Sequence, residues 1–468
     1  MMQLWVILAY FVALLGIGIW STRSVGSPEG FFVAHRQGSV ALIVGSLLAT
    51  VIGGSATVGI SGLGFNLGLV GGWWLLAGSI GLVVLGLLFA KKVRGSALYT
   101  LPELAERQYD SRVGLGAAVL IVVAWTGVVA GQIVAAGKVL SILGLGSQAF
   151  WMVVFTGICV VYAVLGGQVS IIRTDLVQAG ILAAGILCAV AVLLVQVGGM
   201  QGLRMSLPES YFAFPVSSSF DWRSVFTFLI LIGATYVVGP DIYSRLFCAR
   251  NEVTARRSAL VSAGLILPMA LAIVLIGMGG RVLYPQIAAE EAFPAVISGL
   301  LSPFLSGLVL AALVAALMSS ADTCLLSQSV ILTQDIVRRF RPSMCDRTTL
   351  AVSRVSLLAL GLLGLGLALV LNGVISSLLF AYTIFTCGLV VPVVAGFYRE
   401  RLRVTSRGAL AALLVGGIVG LLGKIPGLDL PLKGDLGLIG FGASAVVLFG
   451  FSFLERAWNR GTSGGARV

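Results

Sequence analysis

Hydroxyl and carboxyl groups cluster in one otherwise apolar segment of the chain, between Gly307 and Phe340. Helical spacing of three and four residues aligns small and hydroxylated residues on one side: Ala312, Ala316, Ser319, Ser320, Thr323 and Ser327. A dehydrated sodium ion needs about five or six hard oxygens, and neutral hydroxyl and carbonyl oxygens suit a monovalent ion that must later be released. The segment therefore predicts a sodium site with Ser319, Ser320 and the Ala316 carbonyl as ligands. The alternative is that each serine bonds the carbonyl four residues back in its own helix.

Two aspartates interrupt apolar segments in a similar way. Asp322 follows Ser319 by one helical turn, and Asp175 stands in an Arg-Thr-Asp sequence near one end of its segment. Acidic residues inside a membrane span are costly and usually functional, so each could bind a second cation or carry a proton. The structural alternatives are an N-terminal helix cap for Asp175 and an ion pair with a nearby arginine for Asp322. For Asp241, an ion pair with Arg245 one turn later is favoured.

The composition places these groups in a membrane. Of the 468 residues, 58% are hydrophobic and 10% are charged, and the mean hydropathy is +1.07, which excludes an ordinary soluble chain. Apolar segments of about 20 residues, enough to cross the hydrocarbon as helices, recur along the whole chain. We predict an all-α membrane protein with 13 transmembrane helices, centred on residues 2–20, 41–63, 68–90, 114–142, 149–166, 171–197, 224–244, 258–280, 302–335, 349–371, 375–397, 408–422 and 436–454.

The net charge of +12 orients the protein in that membrane. With the N terminus outside, only six of the 30 basic residues fall in external loops: Lys138, Arg204, Arg223, Arg281, Lys424 and Lys433. Nearly all the others fall in loops on the opposite side, as the positive-inside rule expects of the cytoplasm. The basic charge is thus explained without a nucleic-acid partner, and the C terminus is expected to be cytoplasmic.

Other reactive side chains give no sign of catalysis. The six cysteines form no CxxC pair and fall mostly inside predicted helices, where they are expected to act as small packing residues. The single histidine, His35, lies in a predicted cytoplasmic loop. Because the sequence shows neither a metal-ligand cluster nor a nucleophile paired with a base, we do not expect an enzyme.

Glycines interrupt two of the predicted spans at mid-depth. Gly53, Gly54 and Ser55 break the apolar run of residues 46–64, while Gly233 and the pair Gly239–Pro240 do so in residues 229–241. An unwound segment leaves carbonyls without donors, which membrane proteins tolerate only beside a cavity, ligand or ion. Close helix packing by small residues is the alternative explanation.

The two interrupted helices each begin a candidate five-helix unit, residues 41–197 and 224–397. Since five is odd, the second unit enters the membrane from the opposite face, as in an inverted repeat. Residues 1–40 form an extra N-terminal helix and loop, residues 198–223 an external loop, and residues 398–468 two C-terminal helices and a tail. The segments 198–223 and 281–301 contain Pro and aromatic residues and are expected to form interfacial elements or a lid.

At this level of detail the chain resembles the sodium/solute symporters, a family with bacterial proline, sialic acid, pantothenate and sugar transporters. The resemblance covers nearly the whole chain and is carried by MSSADTCLLSQSVILTQDI, by RTDLVQAGIL around Asp175 and by ISGLGFNLG from Ile60. It implies a leucine-transporter-type fold of two inverted five-helix repeats, with one extra N-terminal and two extra C-terminal helices. It also implies a sodium site formed by the carbonyls of Ala49, Ile52 and Ala316 and the hydroxyls of Ser319 and Ser320. A possible second cation site would involve Asp175, Asp322 and Thr323.

The pattern around the expected substrate site matches individual family members less well. Ser55 and Ala56 stand where sugar-transporting relatives carry long polar side chains, and Val51 stands where proline transporters have an acidic residue. Candidate substrate contacts, each as easily a packing residue, are Ser55, Thr57, Trp125, Gln132, Thr235, Tyr236, Tyr382 and Thr383. With no Lys or Arg expected at mid-depth in these helices, a carboxylate substrate would be held by helix-end amides and bound sodium.

We therefore expect a sodium-coupled symporter of the inner membrane that imports a small organic solute by alternating access. A monocarboxylate, an amino acid, a pantothenate-like anion and a neutral solute are all compatible with the sequence, which does not specify an oligomeric state. The alternatives are a passive channel or facilitator, which needs no ion-coupling residues, and a transporter-like solute sensor.

Overall fold

The computed structural model describes residues 2–21, 28–424 and 436–464, apart from the side chains of a few helical positions that include Ser55. These residues form helices joined by short turns. The helices up to residue 206 are α1 (Met2–Ser21), α2 (Pro28–Val33), α3 (Val40–Val51), α4 (Gly54–Leu67), α5 (Trp73–Val84), α6 (Ala90–Gly95), α7 (Leu101–Gln108), α8 (Ser111–Ser141), α9 (Gln148–Val197) and α10 (Gly199–Ser206). The remainder contains α11 (Trp222–Phe228), α12 (Ala234–Val238), α13 (Pro240–Cys248), α14 (Glu252–Leu283), α15 (Ala292–Leu300), α16 (Pro303–Ile331), α17 (Arg338–Phe340), α18 (Asp346–Leu371), α19 (Val374–Phe385), α20 (Val391–Gly396), α21 (Arg399–Leu402), α22 (Ser406–Leu422) and α23 (Leu436–Gly464).

Several neighbouring helices continue into one another through a wider π turn, so that together they form one membrane span. Such turns occupy Leu85–Phe89, Leu229–Gly233, Leu332–Val337 and Thr386–Val390. Within the described residues, nine helical stretches are long and apolar enough to cross a membrane, and three shorter apolar helices accompany them (Val40–Val51, Gln148–Val164 and Ser406–Leu422). The all-helical membrane architecture is thus confirmed, while the count of 13 spans stays a prediction.

Helix α9 changes direction between Tyr162 and Thr174. The hydroxyls of Tyr162 and Thr174 are 3.3 Å apart. A straight helix would separate positions twelve residues apart by about 18 Å along its axis, more than both side chains can reach. The helix axis must therefore turn sharply between these residues, which is consistent with the predicted spans 149–166 and 171–197.

Both predicted helix interruptions are present. Helix α3 ends at Val51 and α4 begins at Gly54, with Gly53 in an extended conformation between them (ψ 158°). Helices α12 and α13 are likewise separated by Gly239 (ψ 133°), which precedes Pro240. Proline fits the first turn of a helix because its missing N–H has no partner there. Each interruption places free helix ends inside the membrane-spanning bundle.

Helix α16 lies at the centre of the bundle. It packs against α3, α8, α9, α18 and α1, and 83% of its most apolar window is buried, against 22% for α23 and 33% for α18. The outer helices expose large apolar side chains such as Val355, Leu362 and Val370, which suit contact with lipid tails. Polar side chains on the central helix must therefore find partners within the protein, which restricts where α16 can sit.

Candidate functional site

The interruption between α3 and α4 presents carbonyl groups to the polar face of α16. The hydroxyl of Ser320 lies 3.2 Å from the carbonyl oxygen of Ala49 and 3.4 Å from that of Thr50, and donates to them. These carbonyls lie in the last turn of α3, where the helix supplies no further N–H donors. The serine hydroxyl thus reaches a neighbouring helix, and the alternative of a bond to its own helix is wrong for Ser320.

Glycine at position 53 permits this close approach. A β-carbon there would overlap the Ser320 hydroxyl and would lie 2.7 Å from the Ala49 carbonyl oxygen and 2.9 Å from that of Thr50. Those distances are shorter than carbon–oxygen contact allows. The oxygens of Ala49, Thr50 and Ser320 therefore converge on one small volume that any larger residue at position 53 would fill.

The other predicted sodium ligands are arranged differently. Ser319 donates a short hydrogen bond to Asp175, so its hydroxyl also leaves its own helix. The Ile52 carbonyl accepts a 2.6 Å hydrogen bond from the Thr57 hydroxyl. Ala316 is fully buried in the turn of α16 before Ser320. The structure thus brings Ala49 and Ser320 into direct contact, keeps Ala316 one turn away, and engages Ser319 and Ile52 with other partners.

Asp175 joins four helices through its carboxylate. One oxygen accepts from Ser319 on α16, and the other from Ser46 on α3, both as short hydrogen bonds. Arg245 on α13 lies 3.8 Å from this second oxygen, and both charged side chains are fully buried. Within the described residues the carboxylate accepts from these side chains and not from a backbone N–H, so the expected helix cap at Asp175 is not found.

Arg245 was not expected in this position. Its guanidinium donates to the Ser46 carbonyl (3.1 Å), the Thr323 hydroxyl (2.8 Å) and the backbone oxygen of Asp241 (3.2 Å). Among the described residues its ion pair is with Asp175, so the expected pairing with the Asp241 carboxylate is wrong. The long arginine stem carries its charge from the end of α13 into the buried core, and the absence of Lys and Arg at mid-depth stays a prediction.

Asp322 is the one carboxylate of the cluster without compensation. It is fully buried, and neither of its oxygens has a hydrogen-bond partner within the described residues. The Cys159 thiol lies beside it, a weak donor whose geometry falls short of a hydrogen bond. The expected pairing of Asp322 with an arginine is not found in the described chain. A bare buried carboxylate is costly, so this position favours a bound cation or proton.

A small cavity adjoins Ser320 and contains some of the candidate substrate contacts. Its volume is about 20 Å³, room for about one water molecule. Its lining includes the candidates Gln132, Tyr236 and Tyr382, together with Thr50, Ala56, Trp74, Asp241, Ser320 and Cys324. Ligand sites for organic molecules occupy about 300–1,000 Å³, so the mid-membrane cavity must expand to admit a solute.

The remaining candidates lie outside this lining. Thr57 is engaged with Ile52, and Thr235 pairs with the Thr386 hydroxyl at 2.8 Å. Trp125 packs edge-on against Phe385, with ring centroids 4.6 Å apart. The Thr383 hydroxyl is buried without a partner in the described chain. The side chain of Ser55 lies outside the described residues.

Two residues of the site, Ser46 and Trp74, escaped the sequence interpretation, and a third, Arg245, was expected only as the partner of Asp241. Ser46 precedes Ala49 by one helical turn, so the spacing on α3 could have identified it. Trp74 lines the cavity and packs against Tyr382, with ring centroids 6.0 Å apart; the Trp-Trp pair at 73–74 was its only signal. Arg245 gave no signal of its own, because it belongs to a basic helix end that hydropathy assigns to a loop.

A partly buried carboxylate connects three elements of the bundle. Glu290 accepts from Lys138 (2.6 Å) and from the backbone N–H groups of Val374 (3.1 Å) and Ile375 (3.2 Å) at the start of α19. A carboxylate at a helix N terminus is stabilised by the free N–H groups there. This contact, the Glu290 latch, joins the segment before α15 to α8 and α19, as a lid would.

Two further cavities lie beside α13 and α16 and at the mouth beyond them. A narrow one of about 20 Å³ lies between Pro240 and Leu326. Phe32 and Tyr99 line both this cavity and a wide vestibule of about 920 Å³ beyond it. Acidic residues outnumber basic ones in its lining, with Glu29, Glu103, Glu106, Asp335 and Asp346 against Arg338 and Arg339. Aromatic side chains thus lie between the narrow cavity and an open mouth in which acidic residues outnumber arginines.

Comparison with known proteins identifies the family. Residues 31–416 match the Sodium:solute symporter family. The chain belongs to this family. Curated relatives of this symporter include the sodium/glucose cotransporter 4 of Danio rerio, 27% identical over 90% of the chain and 71% of the relative. The sodium/myo-inositol cotransporter 2 of Mus musculus is 26% identical over 89% of the chain and 69% of the relative.

Solved structures support the fold of this symporter. A Na+-coupled sialic acid symporter, captured substrate-bound and outward-open, superposes with a TM-score of 0.81 at 18% identity, over 97% of this chain and 98% of the other. A nucleobase-cation-symport-1 family transporter superposes with a TM-score of 0.55 at 16% identity, over 93% and 95% of the two chains. At such identities the likeness concerns the fold alone, which is that of the leucine-transporter-type carriers. Membrane transport by sodium symport is the activity of the family.

Proposed function

We propose that this symporter binds one sodium ion where α16 faces the interruption between α3 and α4, and uses it to drive uptake of a small organic solute. The observation that carries the proposal is the convergence of the Ala49 and Thr50 carbonyls with the Ser320 hydroxyl around Gly53. Hard neutral oxygens replace the hydration shell of a monovalent cation without holding it too tightly to leave. The Ile52 and Ala316 carbonyls and the Ser319 hydroxyl are the remaining proposed ligands.

A second cation, sodium or a proton, would bind at Asp322. Arg245 already balances the charge of Asp175, at 3.8 Å from its carboxylate. Asp322 has no such partner in the described chain, and it is one helical turn from Ser319. A cation there would satisfy the two bare oxygens of Asp322, and Asp175 and Thr323 would lie close to it. The second charge is thus assigned to Asp322 in particular, rather than shared equally with Asp175.

The cavity lining favours a neutral or amine-bearing solute over a carboxylate. Gln132, Tyr236 and Tyr382 offer hydrogen-bond donors and acceptors, while Asp241 would repel an anion. Trp74 and Tyr382 add ring surfaces that suit the apolar face of a ring-shaped solute. The curated relatives are named for glucose and myo-inositol, both neutral and rich in hydroxyls. We therefore propose a neutral polyhydroxylated solute, in preference to the anions that the sequence left open.

Alternating access would proceed by opening one end of the cavity at a time. Release of the Glu290 latch would open the side of α15, and separation of Phe32 and Tyr99 from α13 and α16 would open the acidic vestibule. The predicted orientation, with the N terminus outside and the C terminus cytoplasmic in the inner membrane, makes the latch external and the vestibule internal. Acidic groups at the internal mouth would attract the departing cation.

The test is a thermal-shift screen of small solutes on the purified protein, in sodium chloride and in potassium chloride. We expect stabilisation by neutral sugars or polyols that is larger in sodium, because each ligand tightens the other. Uptake of the hit into proteoliposomes must then accumulate solute against its gradient when sodium flows inward. Accumulation by an anion alone would overturn the substrate assignment, and equilibration without accumulation would favour a passive facilitator.

A further inference from the structure

A large basic cavity lies at the end of the molecule where the positive charges concentrate. Its volume is about 980 Å³, and five cationic residues and only two acidic ones line it. The cationic residues are Lys91, Lys92, Arg107, Arg399 and Arg401. None of these five takes part in an ion pair within the described part of the chain. The cavity, called here the basic cavity, therefore carries uncompensated positive charge.

Three membrane spans end at this cavity, which fixes its depth. Gly95 and Gly396 are the last residues of two apolar spans, and Glu252 is the first residue of a third, and all three line the cavity. Residues at the ends of spans lie at the level of the lipid headgroups, just outside the hydrocarbon. The basic cavity is thus open at the depth where the phosphate groups of membrane lipids are found.

The lining is held in place by contacts that leave room for an anion. Arg399 donates to the Gln108 carbonyl at 2.7 Å and lies over the Tyr109 ring. The Lys92 ammonium lies 4.1 Å from the centre of the Tyr398 ring. The side-chain amide of Gln108 is buried with neither of its polar atoms hydrogen-bonded in the described chain. An amide without a partner beside fixed cations is a position at which a ligand oxygen would be stabilised.

We propose that the basic cavity binds the phosphate group of an anionic phospholipid from the surrounding leaflet. Basic pockets between membrane helices recognise such headgroups. Arg side chains suit phosphate because their planar donors can form paired hydrogen bonds, and Lys adds a compact charge. The aromatic residues Phe397 and Tyr398 at the same rim suit the boundary between headgroups and acyl chains. The bound lipid would connect α6 and α7 to the segment between α20 and α22.

A general excess of positive charge at this end is the competing explanation, since the positive-inside rule operates without any specific site. The two explanations differ in where charge must be removed to release lipid. Lys91→Gln with Arg401→Gln removes two exposed charges from the basic cavity. Arg341→Gln with Arg347→Gln removes two exposed charges, one from the loop after α17 and one from the first turn of α18, both outside the cavity, and is the matched control.

The experiment is native mass spectrometry of the detergent-purified protein titrated with dioleoylphosphatidylglycerol, with dioleoylphosphatidylcholine for comparison. We expect the cavity variant to bind the anionic lipid about thirtyfold more weakly, the equivalent of about 2 kcal/mol for two charges. The control variant should stay within about threefold of the native protein, and the charge-preserving Lys91→Arg with Arg401→Lys should retain the lipid. Equal weakening in the cavity and control variants would overturn the proposal.

A second arm separates lipid from soluble phosphate. Glycerol phosphate and inorganic pyrophosphate are added to protein freed of lipid, and the shift in melting temperature is measured. The lipid assignment requires stabilisation by phosphatidylglycerol well beyond that by either soluble anion. Equal stabilisation by pyrophosphate would overturn the lipid as the source, and melting of the lipid-free variants near the native temperature shows that lost binding is not lost folding.

Discussion

Replacement of Ser320 by alanine tests the proposed sodium site most directly. The substitution removes the one side-chain oxygen that touches the Ala49 and Thr50 carbonyls. A ligand oxygen to a charged group contributes about 1.5–3 kcal/mol. Since about 1.4 kcal/mol corresponds to a factor of ten, the dissociation constant of sodium should rise about tenfold to 150-fold.

Ser329 on the same helix is a matched control. Its buried hydroxyl donates to the Ser353 carbonyl on α18 at 2.7 Å, just as Ser320 donates to Ala49 at 3.2 Å. Each alanine variant loses one buried hydrogen bond between helices, worth about 1 kcal/mol of stability without any ion. Only Ser320→Ala should also lose affinity for sodium, so the pair separates ion binding from packing.

The assay needs no knowledge of the solute. Melting temperature is measured for the purified protein over a range of sodium chloride at constant ionic strength, balanced with potassium chloride, and radioactive sodium binding is measured in parallel. At a sodium concentration of about 100 times the native dissociation constant, stabilisation of about 2.7 kcal/mol should fall to about 1.4 kcal/mol or less in Ser320→Ala. Native sodium affinity in Ser320→Ala, or an equal loss in Ser329→Ala, would refute the assignment.

Three further substitutions or measurements examine the close approach at Gly53, the Glu290 latch and the orientation. Gly53→Ala should abolish sodium-dependent stabilisation because its methyl group would fill the ion site, whereas Gly157→Ala, with nothing within 4 Å, should bind sodium normally; sodium binding by Gly53→Ala would contradict the geometry. Glu290→Gln should weaken the bonds to Lys138 and α19 and increase several-fold the labelling of a cysteine placed at Gln132, whereas Glu291→Gln should not; unchanged labelling would exclude a latch. The exposed Cys345 thiol is hydrogen-bonded to the Thr348 hydroxyl, which lowers the pKa of the thiol, so a maleimide should react with it below the pH that ordinary thiols need. In the predicted orientation a membrane-impermeant maleimide should label Cys345 from the cytoplasmic side alone. Labelling from outside would reverse that orientation.

Local sequence signals were enough to predict the elements of the proposed ion site. Glycines at mid-span indicated the interruption at Gly53, and a spacing of three and four residues placed Ala316, Ser319 and Ser320 together. Both signals are properties of a single helix, so they need no knowledge of its neighbours. The sequence alone also indicates a functional role for Asp175 and Asp322, because a carboxylate in an apolar span is costly wherever the helix lies.

Partners across helices could not be found in this way. The sequence does not say which face of α3 meets α9, so Ser46 was missed although it lies one turn from Ala49. Hydropathy is averaged over a window of residues, so it assigns Arg245 to a loop. The burial of Arg245 depends instead on where its single long side chain points. Likewise, the hydroxyls of Thr57 and Thr235 could have contacted a substrate, but both form hydrogen bonds inside the protein. Which side chains line the proposed solute cavity depends on how the helices pack. The number of spans depends on packing too, so the length of the apolar segments alone does not determine it.

In the proposed mechanism, coupling between ion and solute would follow from residues that the two proposed sites share. Ser320 touches the carbonyls of the ion site and also lines the solute cavity. Arg245 contacts Asp175 and Thr323 on the cation side and the backbone of Asp241, whose residue lines the same cavity. A cation that drew Ser320 toward α3, or that neutralised Asp322 beside this network, would therefore change the shape and charge of the solute cavity directly. No relay over a long distance is needed, and the same contacts oblige the solute to raise the affinity for the cation by the same factor.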